Sequence, residues 1–182
     1  MKKLIFTCAL LLTMAACTQN KPAETTESLK DEVAQTEVPD TIDPKTKLEN
    51  MKEVEAYLKE CGTFFIATAD GDQPRVRPFG VAEIINDRLY IVTGKVKDVF
   101  KQMAANGKFE ICALKKTGGE WMRLSGTLVN DETLAVKEEM LKRNEGLKSM
   151  YKADDDNMAV LYITNATARF CSFGGPERKV GF

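Results

Sequence analysis

Histidine is absent from all 182 residues. That absence removes the Ser-His-Asp triad, the Cys-His dyad, the HExxH zinc site and the axial haem imidazole from consideration. Any catalysis must run on other acids and bases or on a bound cofactor. A basic excess is missing too: 26 Lys and Arg stand against 27 Asp and Glu, a net charge of −1. Nucleic-acid binders usually carry a marked basic surplus, so no nucleic-acid partner is expected. The five cysteines, Cys8, Cys17, Cys61, Cys112 and Cys171, form no CxxC pair, and no metal site is expected. The three that follow Cys17 are an odd number for a disulfide framework and read as small buried hydrophobes. The apolar stretch at the start, Leu4 to Met14, is too short for a stable membrane span.

That stretch follows a basic start, Met1-Lys2-Lys3, and precedes the small pair Ala15-Ala16. The pattern is a secretory signal peptide over residues 1–16. The ending Met14-Ala15-Ala16-Cys17 resembles a bacterial lipobox, in which the cysteine thiol is acylated and the chain is cut before it. The expectation is an exported protein held by a lipid on Cys17 to a bacterial membrane, on its periplasmic or outer face. Each buried CH₂ of such a chain contributes about 0.8 kcal/mol, and two or more chains give stable anchoring. Residues 17–47 are rich in Thr, Glu, Lys and Asp, are punctuated by proline and hold no aromatic residue. Such a segment cannot bury a core, and reads as a disordered linker. One folded domain is expected over 48–182.

In that domain Thr46-Lys47-Leu48-Glu49 reads as a capping box. Leu48, Met51, Val54, Tyr57 and Leu58 then recur at helical spacing until Gly62. Strands are expected over 63–69 and 74–85, joined through Asp70-Gly71-Asp72, and over 88–93 after an Asn86-Asp87 turn. A helix over 97–105 follows. Strands over 108–115 and 120–129 meet through Thr117-Gly118-Gly119, and Asp131 opens a helix that ends near Arg143. A last pair of strands is expected over 158–164 and 166–173. Six or seven mostly antiparallel strands with a few flanking helices make an α+β domain built on a barrel or strongly curved sheet.

Three segments carry chemistry. In Gln73-Pro74-Arg75-Val76-Arg77-Pro78-Phe79-Gly80 the two arginines share a strand face. Side by side they need an anionic partner or open solvent, and the planar guanidinium suits phosphate. Pro78 and Gly80 suggest a kink or a close backbone approach. In Leu89-Tyr90-Ile91-Val92-Thr93-Gly94-Lys95-Val96-Lys97 a strand runs through a glycine loop into a helix start, a place that attracts phosphate. A plain strand-to-helix connection would look the same. In Glu120-Trp121-Met122-Arg123-Leu124 the face shared by Trp121 and Arg123 could border a flat ring, or pack the indole under the arginine stem.

Taken together, Arg-x-Arg-Pro-Phe, the strand ending Thr-Gly, the lysine at the helix start and Trp-x-Arg resemble the pyridoxamine 5'-phosphate oxidase-like family of FMN-binding split barrels. Asp70-Gly71-Asp72-Gln73-Pro74-Arg75-Val76-Arg77-Pro78-Phe79-Gly80 and Lys97-Asp98-Val99-Phe100-Lys101-Gln102-Met103 look like its small bacterial members. The resemblance implies a mostly antiparallel split β-barrel, a homodimer and FMN at the subunit interface. It puts Arg75, Arg77 and Lys97 near the FMN phosphate and ribityl chain, with Pro78 beside them and Lys95 near by. Thr93 and Gly94 would line the ring through backbone groups, and Trp121 and Arg123 would approach from the partner subunit. It implies an FMN-dependent oxidoreductase acting on a small-molecule substrate, or else a flavin carrier or sensor without turnover. The family's vitamin-B6 oxidases carry a C-terminal Arg-Leu-x-Pro motif and a substrate-contacting histidine. This chain ends Gly174-Gly175-Pro176-Glu177-Arg178-Lys179-Val180-Gly181-Phe182 and has neither, so the resemblance does not extend to vitamin-B6 oxidation.

Overall fold

The computed structural model describes residues 42–182. The leader, Cys17 and nearly all of the linker lie outside the described residues. The first helix, α1 (Pro44–Cys61), starts earlier than the sequence suggests, inside the stretch assigned to the linker. Asp43, not Thr46, is its N-cap: the carboxylate accepts the backbone N–H groups of Lys45 at 3.0 Å and Thr46 at 3.1 Å. Aspartate followed by proline is a strong start signal, because the ring pre-sets the first helical φ and its missing N–H needs no partner. Gly62 closes the helix at φ 74°, as its position suggests.

Eight strands follow: β1 (Phe64–Asp70), β2 (Gln73–Phe79), β3 (Ala82–Ile85), β4 (Arg88–Gly94), β5 (Lys108–Leu114), β6 (Glu120–Asp131), β7 (Met158–Ser172) and β8 (Arg178–Gly181). Helix α2 (Asp98–Ala105) sits between β4 and β5, and α3 (Leu134–Arg143) between β6 and β7. A 3₁₀ turn spans Glu145–Ser149. The strands form one antiparallel sheet in the order β2-β1-β5-β6-β7-β4-β3, with β8 added to β7. This is the α+β split barrel expected: β2 and β3 are the free edges, and the split runs between them.

Three sequence expectations change. The single strand over 74–85 breaks at Gly80-Val81 into β2 and β3, which stand at opposite ends of the sheet. Proline and glycine interrupt the ladder there, so the kink becomes a crossing from one edge to the other. The final pair of strands is one strand, β7. Asn165, at φ 50°, marks a bulge where the β6 register slips around Gly126. A Cβ on Gly126 would stand 2.9 Å from the Thr164 carbonyl, so only glycine fits against that bulge. Asp131 ends β6 rather than opening α3; it accepts hydrogen bonds from the Tyr90 hydroxyl at 2.8 Å and the Thr133 N–H at 2.9 Å.

The core fills the barrel. Phe64, Ile66, Leu89, Ile91, Ile111, Met122, Leu124 and Leu161 point inward with almost no exposure, alternating with outward residues on each strand. Burial of each such side chain stabilises the fold by about 1.5–3 kcal/mol. A second cluster covers the other face of β4 and β7, where Val136, Met140 and Leu141 of α3 meet Tyr90, Val92 and Val160. Of the three cysteines read as buried hydrophobes only Cys61 is buried; Cys112 is exposed on the outer face and Cys171 is half-buried.

Candidate functional site

Edge strand β2 and strand β4 border one cleft beside the start of α2, and residues of the first two sequence segments meet there. A cleft of about 180 Å³ is lined by Arg77 and Pro78 of β2, Thr93 of β4 and Lys97 at the start of α2. Val81, Met150 and Tyr151 close its other sides. Arg77 stands opposite Ile66 in the β1–β2 register and Arg75 opposite Thr68, so both arginines lie on the barrel's inner face, as alternation requires.

Arg77 is held in place. Its guanidinium donates to Thr68 Oγ1 at 2.5 Å, to Gln102 Oε1 at 2.6 Å and to the Arg75 carbonyl at 3.2 Å. Thr68 and Gln102 are themselves buried and hydrogen-bonded to each other at 2.7 Å. None of these partners is charged. Burial, and then the neighbouring charge of Arg75, pull the Arg77 guanidinium below its ordinary pKa. Lys97 caps α2 through its backbone position, and no side chain bonds the free N–H groups of the first helical turn. Among the described residues neither Arg77 nor Lys97 is within ion-pair distance of a carboxylate, and no acidic residue lines the cleft. The cleft therefore carries uncompensated positive charge beside a helix N-terminus, an arrangement that favours an anion.

The other expected site residues are placed differently. Arg75 projects toward the β1–β2 turn and pairs with Asp70 at 3.2 Å, outside the cleft lining. Gly94 lies behind the cleft wall: a Cβ there would meet Asn157 Oδ1 at 3.1 Å and the Tyr151 ring at 3.4 Å. Lys95 turns away to Glu132 at 2.8 Å, where Lys137 binds the same carboxylate at 2.9 Å. Lys95's hydrogen bond, supported by those of Lys137 and Asn130, holds the Glu132 carboxyl down at about 2. Trp121 and Arg123 share the outer face of β6, away from the cleft of their own chain. Arg123 forms a two-pronged pair with Glu110 at 2.7 and 3.0 Å, and Trp121 packs on Phe173 with centroids 5.1 Å apart.

Sequence reasoning missed Thr68, Gln102 and Tyr151. A signal existed for Gln102: Val99, Gln102 and Met103 form the buried stripe of α2, and one member is polar. Tyr151 follows an irregular turn, with no periodicity to mark it.

The family profile described as pyridoxamine 5'-phosphate oxidase matches residues 51–172. A NimC/NimA family protein from Clostridium acetobutylicum is similar in structure, with a TM-score of 0.74, 43% identity, and coverage of 76% of this chain and 96% of that one. A pyridoxamine 5'-phosphate oxidase-related, FMN-binding protein from Nostoc punctiforme shares the fold at 15% identity, with a TM-score of 0.53 and coverage of 76% and 90%. A haem-binding protein from Mycobacterium smegmatis shares it at 10% identity, with a TM-score of 0.54 and coverage of 78% and 59%. No curated protein matches the chain.

Proposed function

The chain belongs to the pyridoxamine 5'-phosphate oxidase-like, NimC/NimA family, and from that premise we propose that it is an FMN-binding oxidoreductase acting on a small-molecule substrate. The observation that carries this reading is the pair Arg77 and Lys97, two cations lining one cleft with no carboxylate beside them. A phosphate fits that charge: the planar guanidinium makes paired hydrogen bonds, and the helix start adds N–H donors. Thr68 and Gln102 would orient Arg77 toward it, while Pro78 and Thr93 would shape the wall along which the rest of FMN lies, with Gly94 behind it. When bound, FMN supplies hydride or electron transfer. The chain's own part is to bind, orient and exclude water, with Tyr151 as a hydroxyl-bearing residue of the lining.

A cleft of about 180 Å³ falls short of the roughly 300–1,000 Å³ of sites that bury a small molecule. A second copy of the chain would complete it. The outer face of the sheet supports such a homodimer: Phe65, Val76 and Leu114 are each at least half exposed there, beside Cys112 and Trp121. Trp121 and Arg123 would then reach the partner's flavin. Anchoring through Cys17 on the outside of a bacterial membrane completes the reading.

Titration of the protein with FMN and with riboflavin tests the site. Preference for FMN by tenfold or more is expected, and equal affinity removes the phosphate from the account. Steady oxidation of NADH or NADPH by the flavin-loaded protein is expected of an enzyme, and its absence makes the protein a carrier. Light scattering should report twice the chain mass, with Phe65→Glu reducing it to one. Cys17→Ala should move the protein from the membrane to the soluble fraction.

A further inference from the structure

A second cleft, of about 330 Å³, lies between α1, the start of β6, the end of β7 and β8, and shares no residue with the first. Its walls are rings and its rim is charge. Tyr57 and Phe170 meet edge to face with centroids 5.5 Å apart. Lys115 Nζ stands 5.1 Å from the Tyr57 ring centroid and the Arg178 guanidinium 4.2 Å from that of Phe170. Each cation faces a carboxylate: Arg178 Nη1 bonds Glu53 at 3.1 Å, and Lys115 lies 3.3 Å from Glu120, with Glu60, outside the lining, 3.5 Å away on its other side. Among the described residues the Tyr57 hydroxyl is the one buried side-chain polar atom without a hydrogen-bond partner.

A buried hydroxyl with nothing to bond is unfavourable by about 1–3 kcal/mol, so its presence at a cleft calls for an occupant. The charges specify what kind. Two cations and two carboxylates line the cleft, so a ligand with net charge meets repulsion from one pair as it gains from the other. A ligand carrying both charges, with an apolar body to lie on the rings, satisfies all four. We propose that this cleft binds a free amino acid with an aromatic side chain, its carboxylate toward Lys115, Arg178 and the Tyr57 hydroxyl and its ammonium toward Glu53 and Glu120. Burial pushes the Tyr57 phenol up to about 12, so it remains a neutral donor at physiological pH. A flavin is not needed for this binding, and the first cleft has no part in it.

The full-length protein, with and without FMN, is titrated calorimetrically with L-phenylalanine, phenylacetate and phenethylamine. The protein's one tryptophan, Trp121, adjoins Glu120 and pairs with Cys171 of the cleft, and gives a second, fluorescent readout. L-Phenylalanine is expected to bind at least tenfold more tightly than either half-charged analogue, alike in both flavin states. Tyr57→Phe should weaken it by about fivefold while the melting temperature of the unliganded protein holds or rises, because the change removes an unpaired polar atom. Equal binding of an analogue, competition with FMN, or no binding at millimolar concentration overturns the proposal. So does unaltered affinity in Tyr57→Phe, or a fall in its melting temperature, which would show that the hydroxyl has a partner in the unliganded fold.

Discussion

The two clefts hold the same kind of charge in opposite states. In the first, Arg77 and Lys97 have only neutral partners or none, and the surplus is positive. In the second, Lys115 and Arg178 are matched by Glu120 and Glu53, and the lining sums to zero, with Glu60 behind Lys115. A lining with surplus charge asks for a ligand of opposite sign. A neutral, alternating lining asks for a ligand with charges of its own in alternation. Counting basic residues along the chain cannot separate these cases, because the decision lies in which side chains are paired.

Arg77→Ala should make the sharpest break in the comparison. It removes the half-buried member of the unpaired couple, and a hydrogen bond from a charged group contributes roughly 1.5–3 kcal/mol. Calorimetric FMN affinity should fall by about tenfold to a hundredfold. Folding should change little, since Thr68 and Gln102 retain their own hydrogen bond. Lys97→Ala should follow with about a fivefold loss, the scale of an exposed charge worth up to about 1 kcal/mol. Arg75→Ala should weaken FMN by less than about twofold, because its charge is already matched by Asp70. A loss as large as that of Arg77→Ala would mean that pairing in the free protein does not decide which arginine serves the ligand.

The smallest effect concerns Lys95. Its partner Glu132 has a folded-state pKa of about 2 against an ordinary 4.5. The depression stabilises the fold fully above pH 4.5, and the contribution is lost as pH falls toward 2. Between those limits the melting temperature of Glu132→Gln should decline less steeply with acid than that of the unaltered protein. An identical slope would show that Lys95 is not held at Glu132 and is available to the first cleft.

The sequence told most where geometry is local. The Gly62 stop, the Asn86-Asp87 turn with φ of 50° and 56°, and the shared face of Arg75 and Arg77 each depend on a few adjacent residues. The family motifs added the split barrel. What stayed hidden depends on register between distant strands. Arg123 meets Glu110 only because β5 and β6 pair Cys112 with Arg123, and Arg75 meets Asp70 only through the tight β1–β2 hairpin. Asn165 reads as a turn because a bulge and a turn use the same backbone conformation; whether the chain reverses depends on a neighbouring strand. The orientation of Arg77 was hidden for a similar reason, since Gln102 reaches it from a helix on the far side of β3 and β4 in sequence.

The crossing from β2 to β3 has a mechanical consequence. Only Gly80 and Val81 lie between Phe79 and Ala82, and Val81 itself lines the first cleft. Three peptide steps reach at most roughly 10 Å when fully stretched. The crossing therefore acts as a short clasp across the gap, and the margins it joins cannot gape to admit a bulky body sideways. At that end the gap has a set width, and Val81 forms part of its wall. Lengthening the clasp by a few glycines should speed both entry and escape while leaving the gripping groups untouched.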